Sequence, residues 1–185
     1  MNALNRLSTF AICITLGIAL ALPGAALAAS AQEIDIKADA TLERFYKEVG
    51  GGKEFAESAK GLLIFPSVLK AGIGVGGEYG EGVLRIGGKS AAYYSTAAAS
   101  IGFQLGAQSK SIILAFMTAE ALEKFQGSAG WEVGVDGSVA LIELGAGGSI
   151  DTTNIQDPIV GFVFSNKGLM YNLTLEGSKI TKLDR

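Results

Sequence analysis

The sequence predicts a single α+β domain: a strongly twisted antiparallel β-sheet, or a barrel-like closure of it, with short helices covering one side or end. Three observations carry this expectation. Beyond Lys60 most apolar residues recur with a period of two, the signature of strands. Helical periodicity is confined to short stretches before Lys60 and after Met117. Glycine accounts for 26 of 185 residues, about twice the usual ~7%. Lying inside strand-period segments, it signals turns, bulges and close backbone packing.

The first residues read as an export signal. Arg6 and the amino terminus form a positive start, Leu7 to Leu22 is largely apolar, and Pro23-Gly24 break the run. Ala26-Leu27-Ala28 is an A-x-A cleavage site. Cleavage is expected after Ala28, with Ala31 as an alternative end. The apolar run falls short of the roughly 20 residues that a spanning helix needs. Cys13 is the only cysteine, and Phe10-Ala11-Ile12 before it lack a lipobox, so no lipid tether is expected. Removing residues 1–28 leaves 157 residues without cysteine, 29–185, and hence without disulfides in a compartment that would permit them. The expected location is periplasmic or secreted.

In the remaining chain, Glu33 to Val49 carries Ala38, Leu42, Phe45, Tyr46 and Val49 at helical spacing, and Gly50-Gly51-Gly52 ends it. Lys53 to Lys60 predicts a second short helix with Phe55, Ala56 and Ala59 on one side. Leu62 to Phe65 then forms an apolar run stopped by Pro66. Gly72, Gly74 and Gly76 alternate with Ile73 and Val75, putting branched side chains on one face and bare backbone on the other. Gly80-Glu81-Gly82 reads as a tight turn feeding a strand from Val83 to Ile86.

Further on, Ser100 to Gln108 alternates, and Ser111 to Met117 is continuously apolar, as in a strand buried on both faces. Thr118 is placed to N-cap a helix through Gln126, with Leu122 and Phe125 inward. Trp131 to Leu141 alternates again. Val160 to Phe164 and Leu169 to Leu175 flank Asn166-Lys167-Gly168, a hairpin signal.

The stretch from Lys60 to Leu84 resembles the core signature of the SYLF domain. So do Tyr93-Tyr94 through Gly106-Ala107-Gln108, Gly130-Trp131-Glu132-Val133-Gly134-Val135-Asp136, Val160 to Met170, and Leu175 to Ile180. The chain from Leu42 onward is thereby similar to a lipid-binding module of yeast actin-patch regulators, FYVE-finger proteins and bacterial envelope proteins. The resemblance implies a non-catalytic module that binds phosphoinositides or other anionic lipids peripherally at envelope membranes. Eukaryotic relatives also bind actin. For an exported protein the alternative is a structural or protein-interaction domain of the bacterial envelope.

Composition excludes several chemistries. With no histidine in the chain, neither a Ser-His nor a Cys-His pair nor a histidine-ligated zinc site can form. No enzyme activity and no cofactor are expected. Gly72-x-Gly74-x-x-Gly77 fits G-x-G-x-x-G formally, but turn chemistry follows instead of a helix, so no nucleotide is expected. Without residues 1–28 the chain has 14 Lys+Arg against 18 Asp+Glu, which argues against nucleic acid as a partner. Glu78 and Glu81 read as solvated turn residues, and Asp136, Asp151 and Asp157 as turn and cap residues without calcium-loop spacing.

The candidate lipid-binding residues implied by the resemblance are Arg44, Phe45, Tyr46, Lys47, Lys53, Lys60 and Lys70. An interfacial helix lays its apolar face among acyl chains and keeps cations at the headgroups. The competing expectation is that Leu42, Phe45 and Tyr46 pack on the sheet while the lysines are merely solvated.

Overall fold

In the computed structural model the described residues are 29–142, 156–165, 168–169, 175 and 177–185, with backbone alone for 72–75, 100–107, 165 and 168–169. The expected leader (residues 1–28, Cys13 among them) and Asp151 lie outside them. The elements run α1 (Ala31–Glu48), α2 (Gly52–Ser58), β1 (Gly61–Ile86), β2 (Lys89–Phe116), α3 (Ala119–Gly127), β3 (Gly130–Glu132), β4 (Ala140–Leu141), β5 (Ile159–Ser165), β6 (Gly168–Leu169) and β7 (Lys179–Leu183).

The centre is one long hairpin. β1 and β2 pair antiparallel from Gly61↔Phe116 to Ile86↔Lys89. On its other edge β2 pairs with β7 over residues 93–97 and with β5 over residues 111–116. β3 adds to β7, and β4 and β6 add to β5. The result is a curled half-barrel. The predicted α+β class holds, but the sheet is mixed: Ala140↔Val160 and Leu141↔Gly161 pair in parallel.

Gly80-Glu81-Gly82 is not a turn. Those residues continue β1, pairing with Thr96, Ser95 and Tyr94. The chain reverses instead at Gly87-Gly88, whose φ values of 57° and 78° suit the tight hairpin turn that matches strand twist. The glycines serve a different need. β1 doubles back so far that a Cβ on Gly80 would lie 2.7 Å from the Ser67 carbonyl oxygen, and one on Gly82 would lie 2.6 Å from the Phe65 ring. Glycine-to-glycine pairs Gly72↔Gly106 and Gly74↔Gly102 flank an irregularity in the hairpin's middle, and another follows Phe65 beside Pro66. Irregularities of this kind bend strands and increase their twist.

The apolar run at the end of β2 is buried on both faces, as expected. Ile112, Leu114 and Phe116 join one core with Leu63, Phe65, Leu84, Leu122, Phe125 and Trp131. Ile113 and Ala115 join another with Ile34, Ala38, Phe45, Phe55, Ile64 and Phe162. Helices therefore cover both faces, α1 and α2 on one and α3 on the other, and not one side alone.

α3 begins where expected, with Thr118 Oγ1 accepting from the Ala121 amide at 3.2 Å. The strand expected over Trp131–Leu141 is broken. Asp136 Oδ2 accepts from the Glu132 amide at 2.7 Å, Gly134 takes φ 88°, and Val135 turns outward to 74% exposure. An aspartate bonding back to the backbone outcompetes a ladder there. The hairpin across Asn166-Lys167 is flanked by Ser165↔Gly168 and Phe164↔Leu169. The two loop residues, and 170–174 of the strand expected beyond, lie outside the described residues.

Candidate functional site

α1 carries Arg44, Phe45, Tyr46 and Lys47 of the expected binding residues, so its docking decides what that surface can do. Ile34, Ala38, Thr41 and Phe45 are buried, spaced at near-helical repeats. Phe45 is 1% exposed, tilted against Phe162 at 4.8 Å and edge-on to Phe164 at 5.9 Å between ring centroids. Phe45 is thus a core residue in this fold. Tyr46, one residue on, points about 100° away and is 36% exposed. Burial, then the nearby Glu57 charge, raises its phenol pKa.

A polar clamp holds the other half of α1. Asp35 accepts from Ser90 Oγ at 2.7 Å and Tyr93 OH at 2.9 Å. Arg85 Nη2 reaches Asp35 Oδ1 at 3.3 Å and Asp39 Oδ1 at 2.9 Å. Sequence periodicity gave no sign of these contacts, which join a helix to the tip of a hairpin some 50 residues later. Asp35 and Asp39 therefore fasten the helix to the hairpin.

Where α1, α2 and the hairpin tip meet lies a cleft of about 270 Å³, lined by Leu42, Tyr46, Ala56, Glu57, Ala59, Leu62 and Arg85 among others. Three of the sequence-predicted cations adjoin its lining residues in the chain or pair with one of them. Lys47 follows Tyr46 and is exposed, and Lys60 is exposed between Ala59 and Gly61. Lys53 is exposed on α2, its ammonium 4.0 Å from Glu57. Arg44 is engaged, its guanidinium 2.8 Å from Glu48 and 5.6 Å from the Phe164 ring centroid. Lys70 is not part of this group: it lies on β1 with Glu78 at 3.5 Å. From Leu42 to Lys60 the four cations are matched by Glu43, Glu48, Glu54 and Glu57. The surface is mixed in charge and holds local cations without a broad positive field.

A second groove, of about 450 Å³, runs between the start of α1 and β1, lined by Ile34, Pro66, Leu69, Tyr79 and Glu81 among others. Leu69 and Tyr79 are 56% and 53% exposed there, an apolar pair at the surface of a charged protein.

The two glutamates taken from sequence as solvated turn residues are neither solvated nor in a turn. Glu78 lies 2.6 Å from Lys110, side chains 13% and 10% exposed. Glu81 lies 2.8 Å from Arg185. Separated by three positions on a strand, they project to opposite faces, so they do not form an acid/base couple. Burial works to raise the Glu81 pKa, but hydrogen bonds from Arg185 and Tyr79, the Arg185 charge and the Ala29 amide together lower it. Asp136 is occupied by its turn, and Asp157 is exposed. Gly72-x-Gly74-x-x-Gly77 lies within β1, with strand and not helix on either side, so no helix N-terminus meets a phosphate there.

A family model described as Ysc84, Las17-binding protein actin regulator, matches residues 97–185. No curated protein matches the chain.

Proposed function

We propose that the protein, whose residues 97–185 match the Ysc84 family model, is a non-catalytic binding module that attaches peripherally to anionic lipid at an envelope membrane, after export and removal of residues 1–28. The observation that supports this most is the cleft at the α1–α2 end. Tyr46 and half-buried Leu42 line it, exposed Lys47 and Lys60 adjoin its lining residues Tyr46, Ala59 and Gly61 in the chain, and Lys53 reaches its Glu57 at 4.0 Å. Ammonium groups near a membrane surface each contribute about 1 kcal/mol toward anionic headgroups, and Tyr46 suits the interface between headgroup and acyl chain. This cleft precedes the segment matched by the family model, so its role is assigned from its own chemistry. Phe45 belongs to the core in this reading, and binding does not require α1 to leave the sheet. A lack of catalysis fits a chain without histidine in which the largely buried Glu78 and Glu81 are committed to ion pairs.

Liposome flotation of the exported, processed protein tests the reading. Binding should need phosphatidylglycerol, cardiolipin or phosphoinositide, weaken with salt, and vanish in a folded Lys47/Lys53/Lys60→Glu variant. Protein that stays at the bottom of the gradient with every lipid sinks it.

A second reading, a protein-interaction domain, is favoured by the groove that displays Leu69 and Tyr79. The matching family is itself described as binding a protein, Las17. Salt-insensitive capture of a partner, lost on Leu69→Asp/Tyr79→Asp and unchanged by the lysine variant, would establish that reading instead.

A further inference from the structure

The Ala29 amide nitrogen donates to Glu81 Oε2 at 3.1 Å. Glu81 is a strand residue whose side chain is 12% exposed. Its carboxylate also takes Arg185 Nη1 at 3.0 Å, Arg185 Nη2 at 2.8 Å, and the Tyr79 hydroxyl at 2.9 Å. Arg185 Nη1 donates in addition to the Ala29 carbonyl oxygen. Both polar groups of residue 29 are therefore gripped. One residue later Ser30 Oγ caps α1, accepting from the Glu33 amide at 3.1 Å. Gly80 and Gly82 let β1 pack on itself at this point, and that packing carries the intervening Glu81 to residue 29.

Ala29 is also the residue that follows the A-x-A site of the leader. We propose that Glu81 is the receptor for the amino terminus released by cleavage after Ala28, where the Ala29 ammonium replaces the amide as donor and a hydrogen bond becomes an ion pair. The inference rests on the leader reading. In that step an export-pathway endopeptidase adds water across the Ala28–Ala29 amide. The carbonyl carbon gains the hydroxyl and leaves as the Ala28 carboxylate, and the Ala29 nitrogen takes up protons to become an ammonium. Cleavage after Ala31 would instead discard both Ala29 and the Ser30 cap, so the proposal requires residue 29 as the first of the processed chain. The other charged groups at the groove are Glu33 and Lys37, which pair with each other at 2.6 Å. Glu81 and Arg185 remain as the charges that face the new terminus. Processing would thus add a cation to a cluster that joins α1, β1 and the segment after β7.

The test uses the full-length precursor expressed in an export-competent host. Intact mass of the product should give a chain starting at Ala29. The pH dependence of acylation at that α-amine, read by peptide mass mapping, should then show a titration midpoint about one pH unit or more above the ordinary 7.7–8.0. Acylation at pH 7 should be about tenfold slower than in the same chain unfolded in guanidinium. Glu81→Gln should return the midpoint to the ordinary range, and the unfolded wild type supplies the reference if that variant does not fold. A product starting at another residue, an uncleaved product, or equal midpoints in native and unfolded chains each overturns the proposal. The flotation result bears on none of these outcomes.

Discussion

Gly82 sits directly against the carbonyl oxygen of Ile64, two residues of the same strand brought face to face by its curl. A Cβ at position 82 would fall inside 3.0 Å of that oxygen and 2.6 Å from the Phe65 ring. Backbone on one side and a buried ring on the other leave little room to relax. Gly82→Ala is therefore expected to destabilise at the upper end of the roughly 1–3 kcal/mol typical of overpacking. Gly87→Ala meets nothing within 4 Å and carries only the cost of its φ of 57°, about 1–2 kcal/mol. Urea unfolding of both variants checks the order, and a Gly82→Ala protein as stable as wild type contradicts the curl.

Phe45→Ala removes a ring packed between Phe162 and Phe164, and a loss of about 3–5 kcal/mol is expected. Tyr46→Ser, on the adjacent but exposed position, should cost far less stability while weakening vesicle binding. Chemical denaturation and flotation of the same two proteins separate core from surface. Reversed effects would mean that α1 undocks on the membrane.

Charge reversal of Lys47, Lys53 and Lys60 is expected to weaken binding to anionic vesicles by at least about 100-fold, from about 1 kcal/mol per lysine. Lys70→Ala should leave binding unchanged, because that ammonium faces Glu78 on β1. A co-sedimentation titration at two salt concentrations reads both effects. Equal losses in the two variants would move the contact surface to β1.

Glu81 has a folded-state pKa held below its ordinary value. Burial opposes this, but the Arg185 and Tyr79 hydrogen bonds and the Arg185 charge outweigh it. Its stabilisation is therefore complete above the unfolded carboxyl value near 4.3 and is lost as pH falls through the lower folded value. Thermal unfolding between pH 6 and pH 3 should show a wild-type decline that is shallower in Glu81→Gln. Arg185→Gln, which leaves a buried carboxylate without that cation, should lower stability at pH 7. Parallel profiles for wild type and Glu81→Gln would remove Glu81 from the account of acid stability.

Local signals carried much of the fold. The α1 and α3 periodicities, the Thr118 cap, the two-faced burial of Ser111–Met117 and the α+β class are properties of short stretches, set by side-chain spacing and hydrogen-bonding chemistry. The strand expected over Trp131–Leu141 failed because the Asp136 side chain satisfies the Glu132 amide and makes a turn, a local competition that alternation cannot see.

The candidate site was readable only as a set of residue types. The sequence offered Phe45 and Tyr46 as equivalent apolar neighbours; packing against β5 buried one and left the other at a cleft. Lys70 looked like part of the same cation group as Lys47 until β1 carried it to Glu78.

What the sequence determined by itself is the class of the molecule: an α+β domain, without cysteine from residue 29 onward, behind an expected export signal and with no histidine chemistry. What only the tertiary structure decided is the meaning of Gly80-Glu81-Gly82. Read locally, two glycines about a glutamate are a turn. In the folded protein they continue a strand, because the same lack of Cβ that permits a turn also permits a strand to lie against its own backbone. That contact joins residues distant in sequence, from Ile64 to Arg185, and no window of local pattern contains it.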